Sequence, residues 1–203
     1  MVAAVAVAAS APAVPSAQPA ELGPVLPLRA FPLVAVVLTG LVVAIAGNWP
    51  WALTFYHVVG GAMWTSIDLF VGFVIGPILR MLPVPARVEF TRRFMPKMLV
   101  IMPTLVTMTL ASGWQLARHL GNLQAGYPHH PWLVASYIVV GVMALVAIAV
   151  LEPANLAVLF ELKKPQPNGE LIARLMRRFI YTAGITGVAQ IATLVIMTRV
   201  AVA

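Results

Sequence analysis

The chain has 203 residues, of which 61% are hydrophobic and only 9% are charged, and this composition excludes a water-soluble globular protein. Its net charge of +7 does not indicate nucleic-acid binding, because the basic residues stand in blocks beside long apolar stretches. The chain has no cysteine, which excludes disulfides, iron–sulfur clusters and thiolate-bound metals. A metal ion or haem iron would therefore need His, Met, Tyr or carboxylate ligands.

In chain order, residues 1–28 come first and are rich in Ala, Val and Pro. Prolines interrupt any long helix there, so we predict a flexible tail. Cleavage as a secretory signal is the weaker alternative, since no Lys or Arg precedes the apolar residues 2–9.

Residues 29–203 contain five stretches long enough to cross a bilayer, for which ~20 apolar residues suffice. We predict an all-α polytopic membrane bundle in which spans two to five form a four-helix core and the first span packs outside it. The predicted spans are 31–47, 51–80, 98–116, 133–151 and 180–197.

The basic residues predict the orientation of these spans. The segments after spans two and four hold ten of the thirteen Lys and Arg residues. The positive-inside rule then places the N-terminus in the cytoplasm and the C-terminus outside, with the cell's plasma (inner) membrane as the location. The lipid bilayer is the expected partner, nucleic acid is not, and assembly as a homo-oligomer or within a larger membrane complex is left open.

The second span carries ionisable residues at membrane depth. His57 and Asp68 lie eleven residues apart, which returns them to nearly the same side of a helix, with Gly61 and Trp64 between them. Ionisable groups in lipid are costly and face a bundle interior, a ligand or a water-filled cavity. One side of this helix is therefore predicted to form a site.

For His57 two interpretations stay open. Its imidazole would bind haem iron or a metal ion, or it would only form a hydrogen bond to a neighbouring helix. Gly61, with Gly60 before it, leaves room for a flat macrocycle or for another helix, and Trp64 offers an aromatic wall. His119 follows the third span at the same end and is the candidate second ligand of a haem iron or a metal ion.

Asp68 is the candidate catalytic residue. It is expected either to carry protons or to pair with Arg93 or Lys97 reaching up from the basic segment. In the outer loop, His129 and His130 are interpreted first as polar loop residues. A surface copper or zinc site made from these two histidines is the alternative, although their spacing matches no closed zinc motif.

A stretch covering about residues 52–120 resembles a known family. His57 is followed by Trp64, by Pro77 and Arg80, by a basic segment, and then by Pro103, Thr107 and Gly113. In this it resembles the membrane domains grouped around copper-resistance protein D and the related HemJ-type protoporphyrinogen oxidases. The resemblance implies that His57 is a haem b ligand.

The leading hypothesis is a haem b-binding integral membrane protein in redox chemistry or electron transfer, with porphyrinogen oxidation, a membrane oxidoreductase activity, as one reaction. The first alternative is a copper-handling or copper-transport protein that uses the outer histidines. The second alternative is a non-catalytic subunit that stabilises a larger membrane complex.

Overall fold

The computed structural model describes residues 28–124 and 126–202, so almost all of the tail predicted at 1–28 lies outside the described residues. Within the described part of the chain, all regular structure is helical. The helices are α1 (Phe31–Ala46), α2 (Pro50–Phe70), α3 (Gly76–Met81), α4 (Val84–His119), α5 (His130–Val146), α6 (Glu152–Leu162) and α7 (Gly169–Ala201).

Two short π-helical segments join pairs of these helices into longer continuous rods. Val71–Ile75 joins α2 to α3, and Ala147–Leu151 joins α5 to α6. Each segment is followed two residues later by a proline, Pro77 or Pro153. A proline lacks an N–H donor and crowds the carbonyl four residues before it, which lies inside the π segment in both cases. The wider π turn accommodates the proline in each of these two rods.

Five helical rods are long and apolar enough to cross a membrane, namely Leu28–Ala46, Pro50–Met81, Val84–His119, His130–Leu162 and Gly169–Ala201. The predicted all-α bundle of five spans is therefore confirmed. These rods are those of a multi-pass membrane protein, and a lipid bilayer is its environment.

The helices of the third and fifth spans begin earlier than the sequence predicts. These helices, α4 and α7, begin at Val84 and Gly169, more than ten residues before the predicted start of each apolar span. With 36 residues, α4 is about 54 Å long, whereas the hydrocarbon core of a bilayer is only ~30 Å thick. The arginine-rich segments are therefore helical turns that project beyond the hydrocarbon, and we call this the arginine-rich end of the bundle.

Spans two to five form the core. The α2 helix packs against α4 and α7, while α6 packs against both α4 and α7. The α1 helix lies on the outside of α2 and α4, where Tyr56 Oη donates a hydrogen bond to the Val37 carbonyl over 3.2 Å. The predicted four-helix core with an extra N-terminal span is confirmed.

Glycines set how closely α2 approaches its neighbours. A Cβ on Gly60 would lie 2.7 Å from Thr109 Oγ1 of α4, and a Cβ on Gly72 would lie 2.5 Å from the Gly184 Cα atom of α7. At Gly61 the nearest such contact is an ordinary 3.5 Å. Gly60 therefore serves close helix packing, as small residues do between membrane helices, and leaves Gly61 free to face a cavity.

The two ends of the bundle differ in packing. The largest apolar cluster lies towards the arginine-rich end and includes Met95, Val158 and Ile172. At the opposite end four tryptophans are exposed, as expected of side chains at a membrane–water interface. They are Trp49, Trp51, Trp114 and Trp132.

Candidate functional site

The first cavity, which we call the histidine cavity, has a volume of about 220 Å³ and lies between α2, α4, α5 and α7. His57, Gly61 and Trp64 line it from α2, so the structure brings together three of the residues that the sequence singles out. The other walls are mainly apolar and aromatic. They include Trp114, Tyr137, Met143 and Met197.

The orientation of His57 is set by α4. Its Nδ1 lies 2.8 Å from the Thr109 carbonyl oxygen. A carbonyl can only accept, so Nδ1 carries the proton and donates it, which leaves Nε2 of the neutral ring with a free lone pair. This is the arrangement in which proteins hold a ligating imidazole, with the second nitrogen fixed by a backbone acceptor.

Gly113 of α4 leaves the space in which the His57 ring lies. A Cβ at Gly113 would lie 2.5 Å from both Nδ1 and Cε1 of His57. The imidazole therefore packs directly against the backbone of α4 at a position that only glycine leaves open. The sequence does not identify Thr109 as a site residue, since a carbonyl acceptor carries no chemical signature there, and it gives Gly113 only as part of the family resemblance.

His119 is not brought to this cavity. It is the last residue of α4, its side chain is exposed, and it lies six residues beyond Gly113, which is about 9 Å along the helix axis. It does not line the histidine cavity. Among the described residues, no group of three or more His, Cys, Asp or Glu side chains is placed to hold a metal ion.

Asp68 lines a second cavity of about 180 Å³, which we call the carboxylate cavity. Trp64 and Met143 line both cavities and so separate them. Asp68 is only 2% exposed, and its Oδ2 accepts a hydrogen bond from Gln190 Nε2 over 2.9 Å. Thr186 Oγ1 lies 3.1 Å from the same oxygen.

The ion pair considered for Asp68 from the sequence is not formed. Arg93 Nε instead lies 2.6 Å from Glu89 Oε1 on the same exposed face of α4, and Lys97 is exposed. Asp68 faces α7, where Thr186 and Gln190 stand one helical turn apart and supply neutral donors. Glu152, the first residue of α6, lines the carboxylate cavity as well.

Three buried polar atoms in the two cavities have no hydrogen-bond partner within the described chain. They are Tyr137 Oη and Gln190 Oε1 beside the histidine cavity and Asn155 Oδ1 beside the carboxylate cavity. Burying such an atom unpaired costs about 1–3 kcal/mol. Each of them is therefore suited to bond a ligand or water in its cavity.

Gln190 connects the two cavities. It lines the histidine cavity, and its amide bonds the carboxylate that lines the other one. A proton arriving at Asp68 from the carboxylate cavity would thus be one hydrogen-bonding side chain away from the histidine cavity. The arrangement can hold a ligand at His57 and place a protonatable group within the membrane beside it.

No protein-family model, no curated protein and no solved structure matches this chain. The chemistry of the two cavities is therefore the basis for assigning a function.

Proposed function

We propose that the chain is a haem b-binding integral membrane protein in redox chemistry or electron transfer, with His57 as an axial ligand. The observation that supports this most directly is the hydrogen bond from His57 Nδ1 to the Thr109 carbonyl, which leaves Nε2 as a donor for iron. The resemblance to copper-resistance D and HemJ-type domains favours the same residue.

The side chains around His57 have the chemical character of a haem site. Trp64 and Trp114 offer flat apolar walls, and the unpaired Tyr137 hydroxyl offers a polar contact. The enclosed volume of about 220 Å³ is below the ~300–1,000 Å³ of common ligand sites. Exposed residues such as Val58, Ala62 and Leu194 line part of the cavity, so a larger ligand has room on the lipid-facing side.

A bound haem would supply one-electron chemistry, and the protein would supply the ligand, the dry walls and a proton site. Asp68 is the proposed proton site, because it is buried, hydrogen-bonded only to neutral donors, and joined to the histidine cavity through Gln190. A porphyrinogen is the substrate that the HemJ-type resemblance implies. Its oxidation releases protons as well as electrons, and an intramembrane carboxylate is a suitable acceptor for the protons.

We also infer the orientation in the plasma membrane. Ten of the thirteen basic residues belong to the arginine-rich end, which supports a cytoplasmic position for that end and for the N-terminus. The histidine cavity then lies in the outer half of the membrane and the carboxylate cavity nearer the cytoplasm.

The test is the visible absorption spectrum of the full-length protein purified from membranes, oxidised and after reduction with dithionite. Sharp Soret and α bands that are lost in His57→Gln and retained in His130→Gln are the expected result. A colourless protein that also fails to take up added haem would refute the proposal. If copper co-purified with that colourless protein, copper handling would take its place, and a metal-free protein would favour the non-catalytic subunit.

A further inference from the structure

A third cavity lies at the arginine-rich end, away from both cavities described above. It has a volume of about 410 Å³ and is formed by α3, the first turns of α4 and the first turns of α7. Four arginines from these helices line it, against one carboxylate, that of Glu170. The arginines are Arg80, Arg87, Arg174 and Arg177.

Two of these guanidinium groups are held in place by neutral acceptors. Arg87 Nε donates to the Leu82 carbonyl over 2.7 Å, and its second terminal nitrogen donates to the Arg80 carbonyl over 2.9 Å. Arg80 lies over the ring of Tyr181 and donates to its hydroxyl over 3.2 Å. Their positions are fixed by groups that carry no negative charge, so their positive charge is not neutralised.

No carboxylate of the described chain neutralises the cluster. The ion pairs within 4.0 Å in residues 28–124 and 126–202 are Arg93 with Glu89 and Lys164 with Glu161, and neither pair lines this cavity. Guanidinium groups that line one cavity without an ion-paired carboxylate bind phosphate well, because their fork of N–H donors matches its oxygens.

The other end of the cavity is apolar. Gly72 and Gly76 of span two and Ile180 of α7 line it there, and this cavity shares no lining residue with the carboxylate cavity. The apolar wall from Gly72 to Leu79 covers more than one turn of span two, so the apolar part is as long as several methylene groups. A cavity with arginines at one end and apolar residues at the other matches an amphiphilic ligand, and a small anion would occupy only its charged end.

We propose that this cavity binds an anionic phospholipid, with the phosphate against the arginines and part of one acyl chain along the glycine-lined wall. The site lies where α4 and α7 leave the hydrocarbon, which is the depth of lipid head groups. Basic pockets between membrane helices are suited to this chemistry. The proposal is independent of any ligand at His57.

The experiment is a titration of the purified full-length protein, in neutral detergent, with dioctanoyl phosphatidylglycerol, and bound lipid is counted by native mass spectrometry. Dioctanoyl phosphatidylcholine and inorganic phosphate are titrated in parallel. Arg177→Gln tests the site, and Arg178→Gln is its matched control, because it removes the same charge from the adjacent, exposed position outside the cavity. Both side chains are exposed, so neither change is expected to disturb folding.

We expect phosphatidylglycerol to bind at one site, about fivefold more weakly in Arg177→Gln and unchanged within twofold in Arg178→Gln. Arg174→Gln combined with Arg177→Gln is expected to weaken binding by about 25-fold. Equal losses in Arg177→Gln and Arg178→Gln would show only diffuse surface attraction and overturn the proposal. So would equal binding of phosphatidylcholine, or of inorganic phosphate at the same concentration.

Discussion

The His57 ring lies against the Cα of Gly113, so that a single added methyl group on α4 would stand 2.5 Å from its Nδ1 and Cε1 atoms. A contact this short is not tolerated, and it involves a ring held by a hydrogen bond rather than a flexible chain end. The position of the imidazole thus depends on a residue of another helix.

Under the proposed function, Gly113→Ala is therefore expected to displace His57 and to lower haem retention by about tenfold while the helices stay folded. The haem-to-protein ratio of the purified variant measures this, and circular dichroism checks the helices. Gly141→Ala is the control, because a Cβ there meets nothing within 4 Å. Full haem content in Gly113→Ala would mean that His57 is not the ligand.

His119→Ala is expected to leave the absorption spectrum unchanged, since this exposed side chain lies outside the histidine cavity. A change from a six-coordinate to a five-coordinate spectrum in His119→Ala would restore the pairing predicted from the sequence. It would also contradict the placement of His119 in the structure.

Under the proposed function, Asp68→Asn is expected to fold normally but to abolish most of the pH dependence of the reduction potential of the haem proposed at His57. The amide keeps the size and the hydrogen bonds of the carboxylate but cannot exchange a proton. Glu89→Gln is the control, because Glu89 lies outside both cavities and pairs with Arg93 on the surface. A pH-dependent potential that persists in Asp68→Asn would assign the coupled proton to another group.

Asp68→Leu, unlike Asp68→Asn, is expected to lower the thermal stability of the protein. Leucine would leave the Gln190 amide without an acceptor, and because Gln190 is only 3% exposed this costs about 1–3 kcal/mol. Thermal unfolding of the two variants in detergent makes the comparison. Equal stability of wild type and Asp68→Leu would show that the Asp68–Gln190 contact contributes nothing to folding.

Gly72→Ala is expected to destabilise the bundle by about 1–3 kcal/mol, since its Cβ would meet the backbone of α7 at 2.5 Å. Gly184→Ala, on the other side of the same contact, is expected to cost less, because its Cβ would lie 3.4 Å from Gly72. Thermal unfolding in detergent measures both. The reverse order would mean that the two helices cross differently.

The orientation can be read from single cysteines, because the chain has none of its own. A membrane-impermeant maleimide applied to intact cells is expected to label Gln124→Cys, in the loop before α5, and to leave Gln166→Cys unlabelled until the cells are permeabilised. Both positions are exposed in the loops that contain them. Labelling of Gln166→Cys in intact cells would invert the proposed orientation.

The sequence predicts the number of spans and their apolar centres, because hydropathy along ~20 residues is a strong signal. It misplaces the starts of α4 and α7, since arginine-rich turns outside the hydrocarbon are helical yet polar. It also assigns His57 and Asp68 to one site on one side of a helix. The structure keeps Trp64 between them and places them in neighbouring cavities.

The partners of these residues are less visible in the sequence. Gln190 and Thr186 could be found as a polar stripe in an apolar span, and they prove to bond Asp68. The acceptor of His57 could not, because a backbone carbonyl is present at every residue. The sequence links His119 to His57 only because both lie at the same end of their spans, whereas helix phase and rise separate the two side chains.

The π segments at Val71–Ile75 and Ala147–Leu151 each absorb one residue more than an α-helical turn would, without changing the rotational phase of the helix that follows. Deleting one residue of Val71–Ile75 would therefore leave an α-helical turn, with Gly76 still beside Ile180 and Arg80 still beside Tyr181. A one-residue deletion inside α3, which has no wide turn to absorb it, would instead turn the residues beyond it by about 100° and separate Arg80 from Tyr181. The π segment is thus the place where span two can lose a residue and still keep its arginine-rich half in register with its histidine half.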